Sequence, residues 1–321
     1  MVALKDIYEA RERISPFIHR TTPERSATLS KMSGFDVWLK PECRQRTGSF
    51  KIRGALNRIL SLSPEEGKRG IVTGSSGNHG QAVACAAQLK GYSASIIMPE
   101  DASSAKIAAV KGYGAQVIFR GTRSDERLEL AHKMRDEQGM TLVHPYDDPY
   151  VMAGQGTVGL EILEDIDNVA AVLVPTGGGG LISGIATAVK ELNPKVKVFG
   201  VEPTGSDSTG RSFRAGKRTR LDVIDTIADG IRTTIPGELT FPVVQKYVDD
   251  MLLVTEEAIA EALRLILERC KILAEPTGTV TTAAVLTPGV LPDSLKGKRV
   301  VPLVSGGNIA LSQLADLIIQ S

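Results

Sequence analysis

AAVLVPTGGGGLISGIATAVKEL, residues 170–192, decides the fold. It opens with a short β-branched and aliphatic run, passes through four glycines after Thr176, and ends in a helix-like segment. A strand that turns through glycine into a helix is the repeating unit of α/β architecture. The same rhythm recurs on both sides: IVT at 71–73, ASIIM at 94–98, AQVIF at 115–119, VKVFGVE at 196–202 and RVVPLV at 299–304. Between these runs lie helical patterns such as SGNHGQAVACAAQLKG, 76–91, and EEAIAEALRLILERCKIL, 256–273. Strands this continuously apolar predict mostly parallel sheets covered by helices on both faces.

A chain of 321 residues, 42% of them hydrophobic, carries more apolar material than one core usually absorbs, so two lobes are expected. No low-complexity linker or fixed-period repeat marks a boundary. The turn-rich segments SPEEGKRG, 63–70, and HPYDDPY, 144–150, bracket three strand and helix units. This predicts a small inserted domain at 69–147 and a large domain built from 1–68 and 148–321.

Charge and composition exclude several classes. Lys and Arg number 38 against 37 for Asp and Glu, aromatics are 4%, and no basic stretch is interleaved with rings, so nucleic acid is not an expected partner. Cys43, Cys85 and Cys270 are too few and too scattered for a disulfide framework or a paired-cysteine zinc site, and a reducing compartment follows. The opening MVALKDIYEARERISPF alternates charge with apolar residues, as an amphipathic helix does and a signal peptide does not. No apolar run approaches the roughly 20 residues of a membrane span. A cytoplasmic location is the expectation.

Three apolar runs end in glycine-rich turns: TGSSGNHG at 73–80, TGGGG at 176–180 and SGGN at 305–308. Ligands of open α/β sheets bind beyond the carboxyl ends of the strands, so all three turns are expected at one cleft. Any one of them could serve only to pack a helix on a sheet. Four glycines at a helix start, however, expose main-chain N–H groups in a geometry suited to a phosphate dianion. The nucleotide motifs fail when read literally. Gly67-Lys68, Gly216-Lys217 and Gly297-Lys298 are each followed by Arg, which rules out GxxxxGK[ST]. The GxGxxG at Gly154, Gly156 and Gly159 follows DDPYVMA and no strand, so it reads as helix-packing glycine. Asn78 stands where GxSxG needs its last Gly.

Lys51 lies within KPECRQRTGSFKIRGALNRI, 40–59, and composition alone does not set it apart from a solvated surface lysine. The ordered set TGSFKIRGA, SSGNHGQA, MAGQGT, PTGGGG, EPTG and SGGN does. Together these segments, spread over nearly the whole chain, closely resemble the fold-type II pyridoxal-phosphate enzymes of the serine racemase and threonine (serine) dehydratase family. The resemblance implies a two-lobed fold like that of the tryptophan synthase β chain, a cofactor of pyridoxal 5′-phosphate, and commonly a homodimer. It implies that Lys51 forms the Schiff base with Phe50 packed beside the ring, that Asn78 holds the 3′ oxygen, that Gly177, Gly178, Gly179 and Gly180 bind the phosphate, and that Ser305 meets the pyridine nitrogen. The reaction it implies is loss of water and ammonia from a small β-hydroxy amino acid. Threonine, serine and 3-hydroxyaspartate are the substrates in view.

Main-chain N–H groups around Ser75, Ser76, Gly77, Asn78 and His79 would take the substrate carboxylate. Racemase members place a second acid or base where Ser76 stands, so racemisation remains open, and Ser76 reads equally well as an N-cap. Arg127 matches an arginine near the substrate side chain, which would suit a second carboxylate. It also reads as a surface-helix arginine paired with Glu126 or Glu129. The family's Mg2+ or Ca2+ site, made of a Glu, a main-chain carbonyl and an Asp, corresponds here to Glu202, Ser206 and Ser208, with Ser208 in place of the Asp and Asp207 next to it. His19, His79, His132 and His144 show no metal-ligand spacing. The chain ends soon after SGGN, which suggests a member without an added regulatory domain. An alternative of another class is a non-catalytic protein that binds phosphate or amino acids on the same scaffold.

Overall fold

A computed structural model describes residues 1–75, 77–102, 104–121 and 124–319, with Ser124 and Ile319 placed by their backbone alone. Among the described residues, ten strands form two sheets: β1 (Glu24–Arg25), β2 (Asp36–Pro41), β3 (Ile71–Gly74), β4 (Ala94–Met98), β5 (Gln116–Phe119), β6 (Thr141–Leu142), β7 (Val169–Pro175), β8 (Lys197–Pro203), β9 (Asp250–Val254) and β10 (Arg299–Val304). The larger sheet has the order β1-β2-β10-β7-β8-β9 and the smaller β5-β4-β3-β6. Every pairing is parallel except β1 with β2.

The α/β reading with mostly parallel, helix-covered sheets holds. β7 and β8 are buried along almost their whole length, because helices cover both faces of the larger sheet. On one face Leu173, Val201, Ile259, Val280 and Val300 share a core with the helices Glu256–Leu265 and Pro276–Leu286. On the other, Val172, Val174, Ile182, Ile185 and Leu303 pack with the helix Gly180–Leu192. Each such aliphatic side chain contributes about 1.5–3 kcal/mol when fully buried. The helix Lys51–Leu60 precedes the smaller sheet in sequence, yet its Ile52, Ala55, Leu56 and Ile59 join the core beneath that sheet, beside Ile71, Ala82, Val83 and Ile96.

The GxGxxG glycines lie in the helix Pro149–Asp165 and serve close packing, as their position away from a strand predicts. A Cβ at Gly154 would lie 2.6 Å from the carbonyl oxygen of Arg53, and one at Gly184 would lie 2.2 Å from that of Met152. This helix therefore presses directly on both Lys51–Leu60 and Gly180–Leu192, the two helices whose first turns carry Lys51 and the tetraglycine.

Candidate active site

The carboxyl ends of β3, β7 and β10 open into one cavity of about 1210 Å³. Ser75, Gly77 and Asn78, Thr176 to Gly180, and Ser305 all line it, so the three glycine-rich turns meet there. Lys51, the first residue of its helix, points into the same space, half-buried, and its Nζ donates to the Pro145 carbonyl at 2.8 Å. The Phe50 ring centroid is 5.2 Å from that nitrogen. Desolvation in the cleft lowers the Lys51 pKa to about 8.

The perch on Pro145 is rigid. His144 Nδ1 accepts the main-chain N–H groups of Tyr146 at 3.3 Å and Asp147 at 2.8 Å, which makes the imidazole neutral with its proton on Nε2. Burial agrees, holding the His144 pKa down to about 4. The Asp147 carboxylate accepts from the N–H groups of Glu238 at 2.9 Å and Leu239 at 2.8 Å, tying this turn to the start of the helix Thr240–Tyr247.

Two residues beyond Lys51, Arg53 is fully buried in an ionic cluster. Its guanidinium donates to both oxygens of Glu42, each at 2.8 Å, and to those of Glu161 at 2.7 and 2.9 Å. Buried Lys40 on β2 closes the set, with Nζ 2.6 Å from Glu161. Two cations and two anions thus join β2 and the helix Pro149–Asp165 to the lysine-bearing helix, fixing where its first turn sits.

Opposite in chemical character is the tetraglycine turn. Gly179 has φ +92°, a conformation suited to glycine, and caps the helix Gly180–Leu192. A Cβ at Gly178 would lie 2.5 Å from the Tyr146 ring, and one at Gly180 would lie 2.8 Å from Tyr146 Cα. No other residue fits these positions without displacing Tyr146. The first-turn N–H groups of that helix have no intrahelical acceptor and line the cavity, so the turn is a cradle for an anion.

Ser305 follows β10 and is almost fully buried in the cavity wall, and its carbonyl accepts the Phe50 N–H at 3.1 Å. That bond ties the Ser305 turn to the Lys51 turn. Asn78 begins the helix Asn78–Lys90; its Nδ2 donates to Glu275 at 2.6 Å and its Oδ1 accepts from Asn308 at 2.7 Å. Ser75 Oγ accepts the Gly77 N–H at 3.3 Å. His79 lines the cavity with its ring buried, Nε2 lying 3.0 Å from the Val143 carbonyl, and burial drives its pKa down to about 3. What His79 can offer an anion is its first-turn N–H. Ser76 lies outside the described residues.

Arg127 corrects the surface-helix expectation. Its side chain is buried in the cavity wall, and its main chain packs so closely on β3 that a Cβ at Gly74 would lie 2.8 Å from the Arg127 carbonyl. Desolvation lowers its pKa, against the pull of Asp101.

The donors at the expected cation site do not fit a divalent metal. Both Glu202 oxygens accept main-chain N–H groups, from Thr209 at 3.0 Å and Gly210 at 2.6 Å. Asp207 faces Arg211 at 2.8 Å and Arg214 at 3.6 Å. Hard cations draw on several free oxygens, and here one carboxylate serves a helix start while its neighbour is paired with arginines. Among the described residues, no group of three or more His, Cys, Asp or Glu side chains could hold a metal ion.

The residues present do fit pyridoxal phosphate: an amine of lowered pKa, an anion cradle that a Cβ would fill, a buried neutral hydroxyl, and an amide fixed at both ends. Sequence reasoning missed Glu275, Tyr146 and the ion pair of Lys106 with Asp229, 2.5 Å, at the cavity wall. EPTG held the signal for Glu275, an acid just before a helix-starting Pro; nothing local marked the others.

Comparison with known proteins gives one consistent answer. The family model described as "Pyridoxal-phosphate dependent enzyme" matches residues 14–306. An L-threonine ammonia-lyase of Thermotoga maritima is 48% identical over 99% of this chain and 78% of its own length. A catabolic L-threonine dehydratase of Staphylococcus aureus is 48% identical over 99% of this chain and 92% of its own. The solved structure of maize serine racemase superposes with a TM-score of 0.94 at 39% identity, covering 99% of this chain and 97% of that one. By the motifs, the cleft they build and these matches, the chain belongs to the pyridoxal-phosphate dependent enzyme family.

Proposed function

We propose that this protein is a pyridoxal-phosphate-dependent ammonia-lyase that converts a small β-hydroxy amino acid to a 2-oxo acid and ammonia. The observation that carries the reading is the Lys51 amine, its pKa near 8, sharing one cleft with the Gly177–Gly180 anion cradle. Bound there, the cofactor supplies an electron sink for the charge left when the α proton departs. The chain's own groups do the rest. The tetraglycine N–H groups would hold the phosphate, and Ser305 would offer a neutral hydroxyl to the ring nitrogen. N–H groups at the start of the helix Asn78–Lys90 hold the substrate carboxylate. Lys51 Nζ, which would hold the cofactor, is placed to take the substrate's α proton, and its lowered pKa suits that role near neutral pH. The β-hydroxyl leaves as water; hydrolysis of the remaining enamine returns one water and frees ammonia. Threonine gives 2-oxobutanoate and serine gives pyruvate.

The names of the threonine and serine relatives support this choice of substrates. Incubating the protein with L-threonine, L-serine, D-serine and the 3-hydroxyaspartate isomers, while measuring keto acid and chiral amino acid together, tests it. Keto acid as the main product is expected. Interconversion of enantiomers without keto acid would make the protein a racemase, and uptake of cofactor without turnover would make it a binding protein.

The buried Arg127 sharpens the specificity. A guanidinium in the cavity wall suits a substrate that carries a second carboxylate, as 3-hydroxyaspartate does. Arg127→Ala should lower turnover of 3-hydroxyaspartate relative to serine by about tenfold or more, the worth of one charge-assisted bond. An unchanged ratio would remove Arg127 from specificity. The same family reading takes the working form to be a cytoplasmic homodimer, which light scattering and cell fractionation test.

A further inference from the structure

We propose that Glu275 is a positioning residue for the cofactor: it fixes which way the Asn78 amide faces, so that one Asn78 N–H is held for the cofactor's 3′ oxygen. An asparagine amide has near-identical ends and can be turned over unless its partners forbid it. Here both ends are specified. Asn308 Nδ2 donates to Asn78 Oδ1 at 2.7 Å while also donating to the Thr47 carbonyl at 2.8 Å, and Glu275 Oε1 accepts from Asn78 Nδ2 at 2.6 Å. One of the two Asn78 amide protons is thereby used, and the other remains for the cleft.

Glu275 is well placed for this role. It lies just before the helix Pro276–Leu286, its N–H donates to the Gly306 carbonyl at 3.0 Å, and a Cβ at Gly306 would come within 2.3 Å of its carboxyl. The SGGN turn thus leaves room for the acid as well as presenting Ser305. Asn78, Glu275 and Asn308 come from three separate segments and meet at this amide, while Thr47, from a fourth, holds Asn308 in place.

The carboxyl is buried, and its pKa is raised to about 8, first by burial and then by Asp229; Asn78 and Lys106 act in the opposite direction. Cys43, with a thiol pushed up to about 12, faces it from the turn Glu42–Arg44. Glu275 is therefore mainly the neutral acid at neutral pH, and its ionisation places a negative charge beside the Asn78 amide and the oxygen that amide serves.

This inference rests on the pyridoxal-phosphate reading, and the experiment separates the two. The holoenzyme and its Glu275→Gln and Glu275→Ala variants are compared for cofactor Kd by equilibrium dialysis, for the visible absorbance of the bound cofactor from about pH 6 to about pH 10, and for apoprotein Tm. Glu275→Ala is expected to weaken cofactor binding about tenfold, the worth of one oriented hydrogen bond. Glu275→Gln, which keeps an acceptor for Asn78, should retain the Kd but lose the spectral change near pH 8. Wild-type Kd and wild-type pH response in both variants would overturn the role of Glu275. So would a pH response unchanged in Glu275→Gln alone, which decides the matter even if Glu275→Ala fails to fold. A wild-type protein that takes up no cofactor would instead defeat the family reading.

Discussion

Two sets of buried acids lie along the framework that carries Lys51, and the fold neutralises them in opposite ways. Glu42 and Glu161 are paired with buried cations, Arg53 against both and Lys40 against Glu161, and Glu161 stays below the ordinary carboxylate range despite its own burial, through Arg53 and Lys40. Glu275 and Glu202 accept instead from neutral N–H groups, of Asn78 and of the Thr209 and Gly210 main chain. Burial pushes each up to about 8, so a proton does the work that a cation does in the first set. The paired set lies behind the catalytic helix and holds it still, whereas Glu275 borders the cleft, where a proton can come and go. The difference teaches that a buried charge locked by ion pairs serves placement, while one relieved by protonation can respond to conditions.

Breaking the paired set should have the largest effect. Arg53→Ala strands two carboxylates in the interior and is expected to cost about 3–5 kcal/mol of stability, read as a fall in Tm and in the urea midpoint. A loss no larger than that of an exposed salt bridge, about 0–1 kcal/mol, would mean that the cluster relaxes or hydrates.

Next in size is the pH response, where the two sets oppose each other. Glu275 and Glu202 hold protons in the native state that the unfolded chain has released between the ordinary carboxylate range and about pH 8. The native state binds more protons in that window, so stability falls as pH rises through it. Glu161 has the reverse sign: its contribution is full above the ordinary carboxylate range and is lost as pH falls below it. Below about pH 6.5 the buried His79 and His144, neutral in the native state and protonated in the unfolded chain, act in the opposite direction to the two raised acids. Apoprotein urea midpoints should therefore decline between about pH 6.5 and about pH 8, and Glu275→Gln with Glu202→Gln should flatten that decline. A midpoint that rises toward pH 8 in the wild type would reverse the assignment.

The smallest expected effect concerns metal. With Glu202 bonded to main-chain N–H groups and Asp207 facing Arg211 and Arg214, exhaustive chelation should leave Tm and turnover unchanged, and added Mg2+ or Ca2+ should not raise either. A clear gain in Tm on adding Ca2+ would show that those contacts give way to a cation.

Much of this site is legible from local pattern. The run at 170–175 falls within β7, Val169–Pro175, and the tetraglycine ends at the helix start because turn chemistry and helix start are local properties. β2 is not legible, since Lys40 interrupts its apolar run, and partners distant in sequence, Glu161 and the Thr21 carbonyl, make that lysine tolerable inside. The burial of Arg127 is hidden for the same reason: TRSDERLEL has the charge pattern of a surface helix, and only the packing against Gly74 turns it inward. The helix pattern 256–273 ends early, at Leu265, and continues as one π-helical stretch, Ile266–Cys270, before Lys271 takes φ 59°. Glu275 has a local position that can be read and a long-range partner, Asn78, that cannot.

The most direct measurement is borohydride reduction of the cofactor-loaded protein followed by digestion and mass mapping. The peptide containing TGSFKIR should carry the reduced cofactor on Lys51, and no other lysine should be labelled. An unmodified Lys51, or a label on a different lysine, would contradict the account.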